Sequence, residues 1–186
     1  MSISRLMIPV GIAGILAIAS IPTQAVQFAN GTVSFDKSPR LINAVTTYSS
    51  LRVWAAKYYF TLNLPENAGE PLGKLIIHQR QGEEYIRFQL EKTVAFEGTH
   101  RKKGERLTLQ AVTGDEETDA ITVIFDPPIP PGKTFTVGLK PRRNPRYGGV
   151  YLFGVTAFPV GEKPYGLYLG VGRLHFYDEY DRLWGR

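Results

Sequence analysis

Two short stretches carry most of the charge that could bind something. "HRKKGER" offers Arg101, Lys102, Lys103 and Arg106; "KPRRNPRY" offers Lys140, Arg142, Arg143 and Arg146, with Tyr147 and Tyr151 beside them. An arginine fork grips phosphate, sulfate or carboxylate at two points. Prolines alternating with arginines in the second stretch would hold those forks on a stiff loop, and rigid loops at the rim of a scaffold are where binding residues concentrate. The second stretch, Lys140, Arg142, Arg143, Arg146, Tyr147 and Tyr151, is therefore the candidate site for an anion or a partner.

Other chemistries find little to work with. Nucleophilic catalysis needs a base and an orienting group within reach. The sequence has no G-x-S-x-G, and the serines outside the leader (Ser34, Ser38, Ser49 and Ser50) crowd toward its front. Of the three histidines, His100 sits in a charged turn, while His78 and His175 fall in strand-like segments. A lone strand histidine is an ordinary packed or surface residue. Without cysteine no thiolate metal site can form, and the histidines lack ligand spacing. Carboxylates cluster at Glu83–Glu84, at Asp115, Glu116, Glu117 and Asp119, and at Asp178, Glu179 and Asp181. The middle cluster lacks the D-x-D-x-D-G order of a calcium loop and fits a solvated hairpin tip. Asp126, Glu97 and Glu162 are the carboxylates a glycan hydrolase would need to set across a cleft. We expect no catalytic residue, cofactor or metal, with an exported glycan hydrolase as the alternative reading.

Strands position these residues. In "AKYYFTLNL", Tyr58, Phe60, Leu62 and Leu64 alternate with Tyr59, Thr61 and Asn63, the period of a half-buried strand. "KLIIHQ", "EYIRFQL", "RLTLQAV", "AITVIF" and "TFTVGL" follow, separated by polar or Gly-rich turns. Residues 41–54 fit loop or strand better than helix, being rich in β-branched residues and serine. "FDPPIPPGKT" reads as a stiff crossover between strands, because prolines cannot donate to a ladder. "GGVYLFGVTAFPVGEKP" is apolar on both sides, as in a central strand or one at an interface, and Gly154 in its middle marks the close approach of a backbone or a ring. "LYLGVGRLHFY" would be its return strand. The expected fold is all-β: an antiparallel two-sheet β-sandwich, immunoglobulin-like in the broad sense, with little helix outside the N-terminal leader.

The chain begins with Arg5, an apolar run and then "PTQAVQF", the three parts of a secretory signal, with Thr23 and Ala25 at −3 and −1 of a cut after Ala25. An uncleaved membrane anchor is the alternative, although Pro9 and two glycines interrupt the run and it is short for a span. We therefore expect a signal peptide over residues 1–25 and a single domain over residues 26–186. Both methionines, Met1 and Met7, leave with the signal, and the net charge of +5 falls by the one unit of Arg5. Mild basicity favours anionic surfaces.

Together "VQFANGTVSF", "YYFTLNLPENAGEPL", "FDPPIPPG" and "YLFGVTAFPVGE…GLYLGVGRLHFY" resemble a family of exported cyanobacterial proteins classed as a domain of unknown function, from about Val26 to Tyr177. The resemblance implies an exported β-domain and supplies no catalytic residues. The functional expectation is an exported, non-catalytic binding or assembly module of the cell envelope. Its partner would be an anionic polymer, a lipid head group or another envelope protein, rather than nucleic acid. The compartment would be periplasm, thylakoid lumen or the extracellular space. A third possibility is that the flat aromatic strand pairs with another chain, as edge strands can.

Overall fold

The computed structural model describes residues 26–27, 31–115 and 117–178. The leader 1–25, Glu116 and most of the C-terminal tail lie outside the described residues. Two five-stranded antiparallel sheets face each other. The first runs β3 (Arg40–Thr46), β4 (Tyr58–Asn63), β10 (Thr134–Leu139), β6 (Val94–Gly98), β7 (Lys103–Leu107). The second runs β13 (Leu167–Phe176), β11 (Gly149–Pro159), β5 (Leu72–Gln81), β9 (Ala120–Ile129), β8 (Leu109–Asp115). A small third sheet joins β1 (Val26–Gln27), β2 (Thr32–Ser34) and β12 (Lys163–Pro164), with β2 and β12 parallel. The all-β antiparallel two-sheet architecture expected from the sequence is the one found.

Aromatic rings fill the space between the sheets. Tyr58 and Phe60 from one side meet Phe153 from the other at centroid distances of 6.1 and 5.7 Å, edge to face. Phe125 and Phe135 repeat the arrangement at 5.7 Å. Edge-to-face packing sets the positive rim of one ring on the negative face of the next. Period-two alternation delivers these rings: Tyr151, Phe153, Val155 and Ala157 of β11 all point inward and are buried. As the hairpin reading requires, β11 pairs with β13, and its other neighbour is β5. It is thus a central strand, which removes the possibility of edge pairing through it. Gly154 faces outward, and a Cβ there would lie 2.8 Å from the Arg80 stem and 3.1 Å from the Tyr168 ring.

The sandwich has two seams. At one, β3 and β13 approach so closely that a Cβ on Gly172 would sit 2.6 Å from that of Ala44. At the other, β7 passes into β8 with only Thr108 between, so "RLTLQAV" is not one strand but two, one in each sheet. Among the described residues no ladder joins the sheets at either seam, so β3, β7, β8 and β13 are the edge strands. The proline segment is the crossover: β9 belongs to the second sheet and β10 to the first. The first two prolines are part of β9 itself, where pairing to β5 lapses between Ile124 and Ile129. Prolines 127 and 128 have no N–H to give, so the ladder skips them.

Two further expectations change. "EYIRFQL" forms no strand; residues 82–89 are a loop with an isolated bridge from Phe88 to Pro141, leading into a 3-10 turn at Leu90–Lys92. Ile86, Phe88 and Leu90 do point at the core, but the Ile86 N–H goes to the Gln79 side chain and that of Gln89 to the Lys140 carbonyl. Side chain and loop partners replace a ladder. Nor is β4 half-buried: Tyr59 and Thr61, on its outer side, are also covered. The β6–β7 hairpin folds over that side, placing Phe96 and His100 rings 6.0 and 6.1 Å from Tyr59. Thr136 donates to the Gly98 carbonyl at 2.7 Å, leaving Thr61 to donate to Thr136 at 2.9 Å.

Phe153 touches rings from β4 and from the 82–89 loop, so Phe153→Ala should lower unfolding free energy by about 3–5 kcal/mol in urea titration. A loss under about 1 kcal/mol would mean the ring is not at the centre of the core.

Candidate functional site

Three connections gather at one end of the sandwich: residues 47–57 after β3, residues 82–93 between β5 and β6, and residues 140–148 between β10 and β11. A groove of about 360 Å³ lies among them. Arg142, Arg143 and Arg146 form one wall together with Pro145; Trp54 comes from the first connection; Glu84, Tyr85 and Arg87 come from the second.

Asn144 organises this end. It is fully buried in a stretch otherwise rich in charge. Its Oδ1 accepts from the Tyr58 hydroxyl at 2.9 Å, and its Nδ2 donates to the Tyr48 and Ser50 carbonyls at 2.8 and 2.7 Å. Its backbone N–H donates to the Val53 carbonyl at 2.9 Å. One side chain therefore locks the 140–148 loop to the 47–57 loop and both to the core. Burial, with Tyr151 and Glu84 nearby, holds the Tyr58 phenol well above the usual tyrosine range, so its hydroxyl stays a donor. Sequence reasoning passed over Asn144; its only signal was a polar residue between an arginine pair and a proline.

The structure distributes the six residues read as a candidate site. Arg142 is exposed and Arg143 half-buried in the groove wall. Arg146 is engaged: its backbone N–H and its Nε both donate to the Glu84 carboxylate, the latter at 3.4 Å. Lys140 is engaged too, its ammonium donating to the Trp54 carbonyl and, at 3.1 Å, to that of Ala56. Burial, then the neighbouring Lys92 and Lys57, lowers its pKa below the usual lysine value. Tyr147 is exposed but does not line the groove. Tyr151 is not a surface residue at all: its ring is in the core against Phe176 at 5.4 Å, and its hydroxyl donates to the Tyr147 carbonyl. The inward turn of β11 at odd positions takes it there. Three groove residues absent from that set, Trp54, Tyr85 and Arg87, come from segments the sequence showed only as strand or loop.

The other basic stretch, "HRKKGER", is spread over the β6–β7 hairpin. Lys103 lies over the Tyr59 and Phe96 rings at 5.5 and 5.4 Å, while Arg101 and Lys102 are exposed at the turn. Asp115 caps the β8–β9 hairpin by accepting from the N–H groups of Glu117 and Thr118, which depress its pKa. Asp115 and Asp119 line a second groove that shares Arg87 and Arg142 with the first. His78 and His175 stand on β5 and β13, and His100 is stacked on Tyr59. Glu97 pairs with Lys133 at 2.8 Å; Asp126 is on β9 and Glu162 in the turn before β12. These three carboxylates line none of the grooves described. Among the described residues no group of three acidic or histidine side chains is placed to hold a metal ion.

Asn144→Ala would take the partner from the buried Tyr58 hydroxyl and the Asn144 bond from the Ser50 carbonyl, while the Tyr48 carbonyl keeps its bond from the Thr46 hydroxyl. We expect a loss of about 2–4 kcal/mol in denaturant titration, against less than about 0.5 kcal/mol for the exposed Arg142→Ala. Equal effects of the two would refute the organising role.

Solved structures similar to this chain include a collagen-binding domain from a Staphylococcus aureus adhesin, at 11% identity over 66% of this chain and 87% of that one, TM-score 0.37. Another is ACE19, the collagen-binding subdomain of the Enterococcus faecalis surface protein ACE, at 9% identity over 77% of this chain and 100% of that one, TM-score 0.40. No curated protein matches the chain. The family model DUF2808, protein of unknown function, matches residues 32–176, from β2 to the end of β13. The chain therefore belongs to the DUF2808 family.

Proposed function

We propose that this protein is an exported, non-catalytic binding module whose anionic partner docks in the arginine groove at the end of the sandwich. The observation that carries the reading is the imbalance of charge there. Glu84 is the one carboxylate lining the groove, and Arg146 already occupies it. Among the described residues, Arg87, Arg142 and Arg143 have no acidic partner, and they line one concavity of about 360 Å³. A guanidinium keeps its charge at any physiological pH and meets carboxylate, sulfate or phosphate with paired donors. The groove is also built in advance. Asn144 and Lys140 fix its walls through half-buried hydrogen bonds, so little ordering entropy is lost when a ligand arrives.

Export rests on the leader residues: a cationic start, an apolar middle and Thr23 and Ala25 at the exit. The site of action would be the cell envelope or its outside, and the sequence resemblance points to a cyanobacterial cell. Edman sequencing of protein recovered from the envelope fraction should begin at Val26; an intact Met1 there would instead mean an anchored protein.

The double variant Arg142→Ala/Arg143→Ala should bind anionic polymer or anionic vesicles about tenfold more weakly in co-sedimentation. It should also show a shallower dependence on salt, because exposed charge pairing is screened. Unchanged sedimentation would remove the groove from the function.

A further inference from the structure

The groove contains more than charge. Trp54 and Tyr85 stand in its walls at 69% and 67% exposure. Large rings left in water are ordinary when scattered, but these two share one concavity with three unpaired arginines. Tyr48, Tyr147 and Tyr165 are also exposed, but none of them lines the groove, and several other outer rings are covered by a cation. Phe158 carries Lys74 at 4.0 Å over its face, Tyr168 carries Arg80 at 5.6 Å, and Tyr59 carries Lys103. Among the described residues no cation and no second ring covers Trp54 or Tyr85.

The backbone under both rings is held by polar side chains. Gln79 is 5% exposed; its Nε2 donates to the Glu84 carbonyl at 2.8 Å, and its Oε1 accepts from the Ile86 N–H at 2.9 Å. That bracket fixes the backbone on either side of Tyr85 and leaves the ring outward. Trp54 is fixed in the same manner: the carbonyl of Val53 accepts from Asn144, and its own carbonyl accepts from Lys140. An exposed ring on a locked backbone loses few degrees of freedom on contact, which favours its use as an anchor.

The ligand must then offer two things at once: a flat, weakly polar face for each ring and anionic groups for the forks between them. The negative face of an aromatic ring attracts the slightly positive C–H bonds of a sugar ring. The acidic β8–β9 tip narrows the choice further. Asp115 and Asp119 flank Arg87 and Arg142 on their other side. A wide anionic surface such as a bilayer would be pressed against those carboxylates within a Debye length, whereas a slender chain can lie along the groove and avoid them.

We propose that the groove binds an acidic polysaccharide, with Trp54 and Tyr85 against sugar faces and Arg87, Arg142 and Arg143 against carboxylate or sulfate groups. This rests on the anion-binding reading above and adds the class of ligand. The test uses the whole chain carrying Trp184→Phe, so that Trp54 is its one tryptophan. Polygalacturonate, dextran sulfate, neutral dextran, phosphatidylglycerol vesicles and oligo(dT) are titrated while its fluorescence is followed, and affinities are repeated by gel retardation or co-sedimentation. One or both acidic glycans should bind and shift the emission, and neutral dextran should not; which of the two binds tells carboxylate from sulfate. Tyr85→Ala and Trp54→Ala should each weaken that binding about tenfold, with thermal unfolding unchanged because both rings are exposed. Glycan binding that ignores both ring variants overturns the proposal. So does tighter binding of vesicles or of oligo(dT) that still requires Arg142 and Arg143, a result that leaves the anion groove intact. Glycan binding indifferent to Arg142→Ala/Arg143→Ala overturns both readings.

Discussion

The Tyr58 hydroxyl is the constraint from which this end of the molecule follows. Its ring belongs in the core, edge to face with Phe88 at 5.8 Å and Phe153 at 6.1 Å. A phenol buried that deeply must find a partner, since an unmet hydroxyl costs about 1–3 kcal/mol. Asn144 meets it, and doing so orients the amide: with Oδ1 accepting from the phenol, Nδ2 must find acceptors, and the Tyr48 and Ser50 carbonyls supply them. Two loops far apart in sequence are thereby fixed to one ring of the core. The Arg52 N–H, donating to the Pro145 carbonyl, adds a further tie between them.

The second sheet repeats the device. Gln79 points inward from β5 where an apolar residue would be expected, and it spends both ends of its amide on the backbone of the 82–89 loop. Polar groups this deep in an apolar layer are costly unless fully paired. Asn144 and Gln79 are paired, and each holds a loop that has no ladder of its own. Rigidity at the rim thus comes from the interior of the sandwich rather than from contacts on the surface.

Much of the sheet framework was legible because its signal is local. Alternation in Tyr58–Leu64, Phe135–Leu139 and Tyr151–Ala157 names the inward residues directly, and the glycines and prolines mark the turns. What was not legible depends on distant partners. Ile86, Phe88 and Leu90 alternate like a strand and do face the core, but their segment finds only an isolated bridge to residues 140–142, past the end of β10, so the pattern is that of a loop laid across an open end. Tyr59 and Thr61 read as solvent-facing because nothing nearby in sequence covers them; a hairpin some forty residues later does. The same limit applied to the basic loop. Proximity in sequence joined Tyr151 to Arg146, while in space Tyr151 lies in the core against Phe176 and the rings of the groove are Trp54 and Tyr85, from two other connections.

Counting charges would misplace the binding capacity of this chain. Many of its cations are already in use. Lys74, Arg80 and Lys103 lie on aromatic faces, Lys133 pairs with Glu97, Arg146 pairs with Glu84, and Lys140 holds two carbonyls. Each contact lowers what its cation can offer a ligand. Arg101 and Lys102 remain exposed at a hairpin turn, but they line none of the grooves described. Arg87, Arg142 and Arg143 differ in being gathered in one concavity. A modest net charge of +5 therefore becomes a local field, because a groove with low-dielectric walls focuses what a convex surface disperses. Position, set by the Asn144 and Gln79 hydrogen bonds, matters more here than the number of basic residues.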